Sequence, residues 1–197
     1  PAVVLIHGSG PSNRDEAYLE LAPFKDIANY LTDRGIAVLR FDKRSFTYGN
    51  TIDPETFTAF EESIEDAGHA FNFLSSQDAI NAKQIFILGH SLGGYLMPRI
   101  ATYVPDAAGY IITAGNARPL EDLIVEQYTY IFGLDGTIDA TEQTTLDALI
   151  IQQGNVKVGA DLPANELMGA SQAYWQYFSQ YDPLSEITTI DKPILIL

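Results

Sequence analysis

Cysteine is missing from the 197 residues, histidine occurs three times, methionine twice and tryptophan once. With no thiol, disulfides, thiolate metal sites and cysteine nucleophiles are excluded, while the compartment, cytoplasmic or secreted, stays undecided. Positive charge is scarce too: 11 Lys and Arg stand against 26 Asp and Glu, a formal net charge of −15. Nucleic acid and anionic membrane would repel such a chain, so neither is an expected partner. No apolar run approaches the length of a transmembrane helix. No internal repeat, low-complexity tract or signal peptide is visible. The sequence opens directly on an apolar stretch without an initiator Met, and so reads as starting inside a longer chain.

What is present describes a globular domain. Apolar residues make up 46%, with 11 Tyr and 10 Phe, enough to bury a sizeable core in one domain spanning 1–197. Ala2–Ile6 is almost wholly apolar, as buried parallel strands are. The spacing predicts a helix over Pro23–Arg34 with Gly35 as its left-handed stop. A second strand is expected over Ile36–Phe41. Asp53-Pro54 then reads as a cap and first-position proline, followed by an apolar stripe of Phe57, Phe60, Ile64, Ala67, Phe71 and Leu74. His69 lies about 170° from that stripe at helical pitch, which puts it on the solvent face beside Glu62 and Glu65. Ile85–Leu88 and Gly109–Thr113 are further strands. Strands and helices alternating in this order predict an α/β fold, a parallel sheet flanked by helices. From Arg118 to Pro183 the alternation stops. Helices near Leu120–Phe132, Thr141–Gln152 and Ala164–Gln180 suggest a helical cap inserted between the last two strands. Strand character returns at Ile194–Leu197.

The chemistry concentrates at Gly89-His90-Ser91-Leu92-Gly93. Strand, Gly-x-Ser-x-Gly and helix in succession form the context of a nucleophile elbow, a turn so tight that only small neighbours fit. Ser91 is the expected nucleophile. The helix runs from Leu92 to Tyr103, with a kink expected at Pro98. The Leu92 backbone N–H is aimed where an oxyanion would form. A second donor is expected from the loop His7-Gly8-Ser9-Gly10-Pro11, at the Ser9 N–H. His7 reads as a ring bracing that loop. Arg14, Asp15 and Glu16, like Asp42-Lys43-Arg44 at a strand end, read as locally paired charges rather than substrate contacts. In the cap, most aromatics are expected in its own core, with Tyr128, Tyr174, Trp175 and Phe178 as candidates to touch an apolar acyl or aryl group.

Together these segments resemble the α/β-hydrolase-fold serine esterases, in particular bacterial carboxylesterases related to dienelactone hydrolases and prolyl-oligopeptidase-like enzymes. The resemblance rests on His7–Pro11 with Arg14-Asp15-Glu16, on Leu39–Arg44, on Leu88–Gly94, on Ala114–Asp122 and on Tyr181-Asp182-Pro183. It implies hydrolysis of a small-molecule ester through an acyl-enzyme, with no metal or organic cofactor. Peptidases, thioesterases and acyltransferases share the elbow and remain alternatives, as does a member that binds a small ligand without turning it over.

A serine nucleophile needs an imidazole within hydrogen-bond reach and a carboxylate behind it. In this family the order is Ser, acid, His, yet no histidine follows Ser91. His90 is expected to point away from the nucleophile, and Lys43 and Lys157 have no motif as substitutes. The sequence is therefore expected to be part of a longer enzyme. The expected missing parts are early edge strands and the acid and His beyond Leu197. Losing the base lowers turnover by on the order of 10⁶, so this stretch alone is expected to be nearly inert.

Overall fold

The computed structural model describes residues 1–197. Strand β1 spans Ala2–Ile6, helix α1 Pro23–Thr32, β2 Ala37–Leu39 and α2 Arg44–Tyr48. A wide π turn over Phe60–Ile64 leads into α3, Glu65–Ser75, and then β3, Ile85–His90. Helices α4, Leu92–Tyr95, and α5, Met97–Tyr103, precede β4, Gly109–Thr113. Next come α6, Leu120–Phe132, α7, Ala140–Lys157, and the short α8, Gln172–Gln176. The chain closes with α9, Pro183–Glu186, and β5, Ile194–Ile196.

All five strands are parallel, in the order β2-β1-β3-β4-β5. This is the parallel sheet flanked by helices that the alternation predicts. Every residue of β1 is buried, because helices cover both faces of the sheet. Val3, Leu5 and Leu88 pack with Phe24 of α1, joined by Ile27 and Leu31. Helix α3 lies against β1 and β3 and buries Ala67, Phe71 and Leu74. Val3 and Leu5 point to the α1 side, so the period of two sends Val4 and Ile6 to the opposite face.

Two compact units emerge. The first comprises Pro1–Ile52, Ala59–Ala117 and Asp182–Leu197, and holds the sheet; the second comprises Asp53–Thr58 and Arg118–Tyr181. The second unit is helical. Helix α7 opens on a reciprocal cap between Asp139 and Glu142, worth about 1 kcal/mol. Leu120, Leu146, Leu167, Trp175, Phe178 and Tyr181 are its buried apolar side chains.

Several boundaries differ from the sequence expectation. Asp53 caps a turn, accepting from the Glu55 N–H at 3.1 Å, and helical structure begins only near Phe60. The π turn there closes with the Glu65 N–H on the Phe60 carbonyl, one residue wider than an α turn. Residues before it are thereby rotated relative to those after it. Glu62, expected beside His69 in solvent, is buried instead, while His69 is exposed. Pro98 does more than kink its helix: α4 ends at Tyr95, and Pro98 sits in the first turn of α5, where its missing N–H costs nothing. Strand β2 is shorter than Ile36–Phe41. Helix α7 is longer than Thr141–Gln152. The stretch expected to be one helix over Ala164–Gln180 holds a 3₁₀ turn and α8, with Met168 and Gly169 at positive φ between them.

Candidate active site

Ser91 sits between β3 and α4 with φ 51° and ψ −111°. A non-glycine residue in that region carries strain of order 1–3 kcal/mol, maintained only when its surroundings over-determine it. Here they do. The Ser91 N–H donates to the Thr113 carbonyl at 3.0 Å, and the Tyr95 N–H donates to the Ser91 carbonyl at 2.8 Å. A methyl group on Gly89 would lie 2.3 Å from the Gly93 carbonyl oxygen, and one on Gly93 would lie 2.5 Å from that of Ile6. The glycines of Gly-x-Ser-x-Gly are thus required by backbone passing backbone. The Ser91 side chain is half-buried. Helical hydrogen bonding starts at the Tyr95 N–H, which leaves the Leu92 N–H without an internal acceptor.

The loop after β1 lies against this turn. A methyl on Gly8 would sit 3.2 Å from Ser91 Cβ and equally close to Glu16 Oε1. Charges hold the loop. The Gly8 N–H donates to Glu16 Oε1 at 2.5 Å, and Lys43 Nζ donates to the Gly8 carbonyl at 2.8 Å. Arg14 binds Asp42 through its backbone N–H at 2.7 Å and its guanidinium at 2.8 Å, and Arg40 pairs with Asp15. The Ser9 N–H has no acceptor among the described residues. The charges of 14–16 are therefore paired, but with residues far along the chain rather than with one another. Glu16 and Lys43 are the two that sequence reasoning undervalued: both touch the loop that meets Ser91.

Each histidine is accounted for. His7 is buried and its Nε2 shares a 3.0 Å hydrogen bond with the Asn13 carbonyl, so the ring braces the loop. Burial, reinforced by the Lys43 charge, depresses its pKa to about 4. His90 Nδ1 lies 2.9 Å from Glu16 Oε2, close but poorly aligned for a hydrogen bond. The Glu16 carboxylate nonetheless raises the His90 pKa above its ordinary value. His69 is on the outer side of α3. None of the three rings hydrogen-bonds the Ser91 hydroxyl, although His90 does meet a carboxylate. Lys157 pairs with Asp122 at 2.6 Å within the second unit.

Matching this architecture to known proteins identifies its family. The sequence fits the Alpha/beta hydrolase family over residues 3–197. The chain belongs to the α/β hydrolases. Esterase EstD of Thermotoga maritima is 37% identical over all of this α/β hydrolase chain, which covers 45% of that relative. Protein phosphatase methylesterase 1 of Candida albicans is 26% identical over 50% of the chain and 24% of its own length. The chain thus spans less than half the length of the curated relatives it matches. Among solved structures, a Pyrococcus furiosus esterase superposes with a TM-score of 0.57 at 16% identity, covering 99% of this chain and 59% of its own. The α/β hydrolase GrgF from Penicillium sp. sh18 gives 0.59 at 18% identity, over 100% and 70% of the two chains. At those identities the likeness is one of fold.

The aromatics of the second unit divide by exposure. Trp175 and Phe178 are buried in a chain of tilted ring contacts from Tyr174 to Tyr181, and Trp175 Nε1 donates to the Leu167 carbonyl at 2.5 Å. They are used in that unit's own core. Tyr174 is half-buried and the Tyr128 ring is exposed.

Proposed function

We propose that this α/β hydrolase chain carries the nucleophile and the oxyanion donors of a serine carboxylesterase. Ser91 Oγ attacks the ester carbonyl and passes its proton to an imidazole. The carbonyl oxygen, now negative, is received by the N–H groups of Leu92 and Ser9. Collapse breaks the ester bond, the alcohol leaves with the proton, and water then hydrolyses the acyl group from Ser91. Each donor contributes roughly 3 kcal/mol in the transition state. The triad acid and His belong to residues of the full-length protein outside 1–197. The observation that carries this reading is the strained Ser91 backbone, φ 51°, at a strand end against which the Gly8 loop is packed. The 37% identity to an esterase supports ester hydrolysis over the other reactions of the fold.

The test uses the full-length protein. A fluorophosphonate should label it stoichiometrically, and Ser91→Ala should abolish both labelling and hydrolysis of a p-nitrophenyl ester, the latter by on the order of 10⁶. Labelling retained in Ser91→Ala would remove Ser91 from the role. Turnover of thioesters or peptides but not of oxygen esters would move the chain to another reaction of the same fold.

A further inference from the structure

Lys43 is 1% exposed, the most thoroughly buried charged side chain of the protein. Its Nζ lies 3.4 Å from Glu62 Oε1, and that oxygen also accepts from Ser45 Oγ at 2.6 Å. The π turn before α3 brings the Glu62 carboxylate inward to meet it. A buried ion pair repays its desolvation only with good geometry and further hydrogen bonds, and an apolar pair of the same volume often serves stability as well. Stability alone is therefore a weak reason for an ammonium here. What the ammonium does that a methyl group cannot is bind a backbone carbonyl, that of Gly8, at 2.8 Å.

The consequence follows from peptide geometry. The Gly8–Ser9 bond is trans, so the Gly8 carbonyl and the Ser9 N–H share one plane and point in opposite directions. Fixing the carbonyl toward buried Lys43 turns the Ser9 N–H away from the interior. The rest of the unit stiffens the same peptide: the Gly8 N–H is held by Glu16 at 2.5 Å, and the Lys43 backbone N–H holds the Ser12 carbonyl at 3.0 Å. The Gly8 N–H is thereby used, while the Ser9 N–H has no acceptor. A cation on the carbonyl also polarises the peptide and strengthens its N–H as a donor.

We propose that Lys43 is a positioning residue for ester hydrolysis, which holds the Gly8 carbonyl and so aims the Ser9 N–H at the developing oxyanion. The proposal rests on the roles given above to Ser91 and Ser9. Lys43 touches neither substrate nor nucleophile. It acts through one peptide plane, so its effect belongs to the transition state and not to substrate binding.

The test compares Lys43→Met and the double variant Lys43→Met/Glu62→Gln with wild type in the full-length protein. The double variant strands no carboxylate in the interior. Hydrolysis of p-nitrophenyl butyrate is normalised to the Ser91 titrated by fluorophosphonate, and folding is checked by circular dichroism and urea unfolding. The expected result is a kcat lowered about 10²-fold, the loss typical of one oxyanion donor, with KM within about three-fold of wild type. A folded variant with kcat within about three-fold of wild type overturns the proposal, as does a raised KM with kcat kept. Failure of both variants to fold assigns Lys43 to folding alone and also overturns it. A wild-type protein without esterase activity, or an active Ser91→Ala variant, would instead sink the functional reading beneath. Normal kcat in the Lys43 variants beside a dead Ser91→Ala sinks this inference only.

Discussion

Two turns end neighbouring parallel strands: the loop 7–16 after β1, and the elbow 89–94 after β3, with Ile6 and Gly89 in register. They are held in opposite ways. The elbow is defined by atoms it lacks, since a methyl on Gly89 or Gly93 would overlap main chain that has nowhere to go. The loop is defined by charges it has, with Lys43, Glu16, Asp42 and Asp15 fastening its backbone and side chains to the strand ends. Even its tightest glycine differs: at Gly8 the nearest atoms are side-chain atoms at 3.2 Å, which can yield. Steric definition is all-or-none and indifferent to pH. Electrostatic definition gives way by degrees and follows protonation. A hydrolase site built from both can keep its nucleophile rigid while its oxyanion loop is tuned.

The largest effect should come from breaking the steric side. Gly89→Ala places a carbon 2.3 Å from the Gly93 carbonyl oxygen and 2.7 Å from the Gly94 nitrogen. Overpacking against side chains costs about 1–3 kcal/mol; against backbone inside a turn that is already strained, the loss should exceed that range. Urea unfolding should show a loss of about 4 kcal/mol or no folded protein. The slope between pH 5 and 8 should match wild type in whatever folds. A stable Gly89→Ala protein would mean that the elbow backbone is adjustable and the contrast between the two turns is false.

The loop should answer to acid. His7 is buried neutral, its pKa depressed to about 4 by desolvation and by Lys43. A histidine whose folded pKa lies below its unfolded 6.5 leaves the unfolded chain holding more protons between the two values. Its contribution is therefore fully present above pH 6.5 and is lost as pH falls toward 4, a change of about 3 kcal/mol. His7→Gln retains a donor for the Asn13 carbonyl but cannot titrate. Its unfolding free energy should fall less than that of wild type between pH 7 and 4. Parallel pH profiles for the two proteins would show that His7 protonates freely in the folded state.

The same contrast explains what could be read in advance. The glycine-framed turn after β3, the succession of strands and helices in a parallel sheet, and the apolar face of α1 are legible, because glycine spacing and apolar periodicity are local signals. Gly35 at φ 76° is another: a helix stop written in one residue. The charges of the loop were not legible, because each partner lies elsewhere in the fold. Lys43 and Gly8 are 35 positions apart, and Arg14 and Asp42 are 28. Glu62 falls on the wrong face of the helical period for a sharper reason. A period of 3.6 has no place for the extra residue of a π turn, so everything before Glu65 was counted one step out of phase. In the second unit the helices α6 and α7 follow the sequence pattern, but Met168 at φ 55° breaks a stretch that periodicity alone would run on.

The smallest expected effect sharpens the comparison where the two turns meet. Glu16 reaches both: Oε1 accepts the Gly8 N–H at 2.5 Å, and Oε2 lies 2.9 Å from His90 Nδ1 on the elbow side. Glu16→Gln keeps the size and leaves a neutral acceptor for Gly8. Replacing a charged acceptor by a neutral one should cost about 1 kcal/mol, within reach of urea unfolding. The His90 ring reports separately. In wild type the carboxylate raises its pKa, so the stability it contributes is complete below pH 6.5 and fades as pH rises through the raised value. In Glu16→Gln that support is gone. The His90 Hε1 resonance should titrate at lower pH than in wild type, and the stability gap between the two proteins should narrow as pH rises. His7 should keep a depressed pKa in both, since burial and Lys43 lower it and the Glu16 charge only opposes them. If His90 titrates identically with and without the carboxylate, the close but poorly aligned contact carries no electrostatic weight. The elbow would then be independent of charge on this side as well.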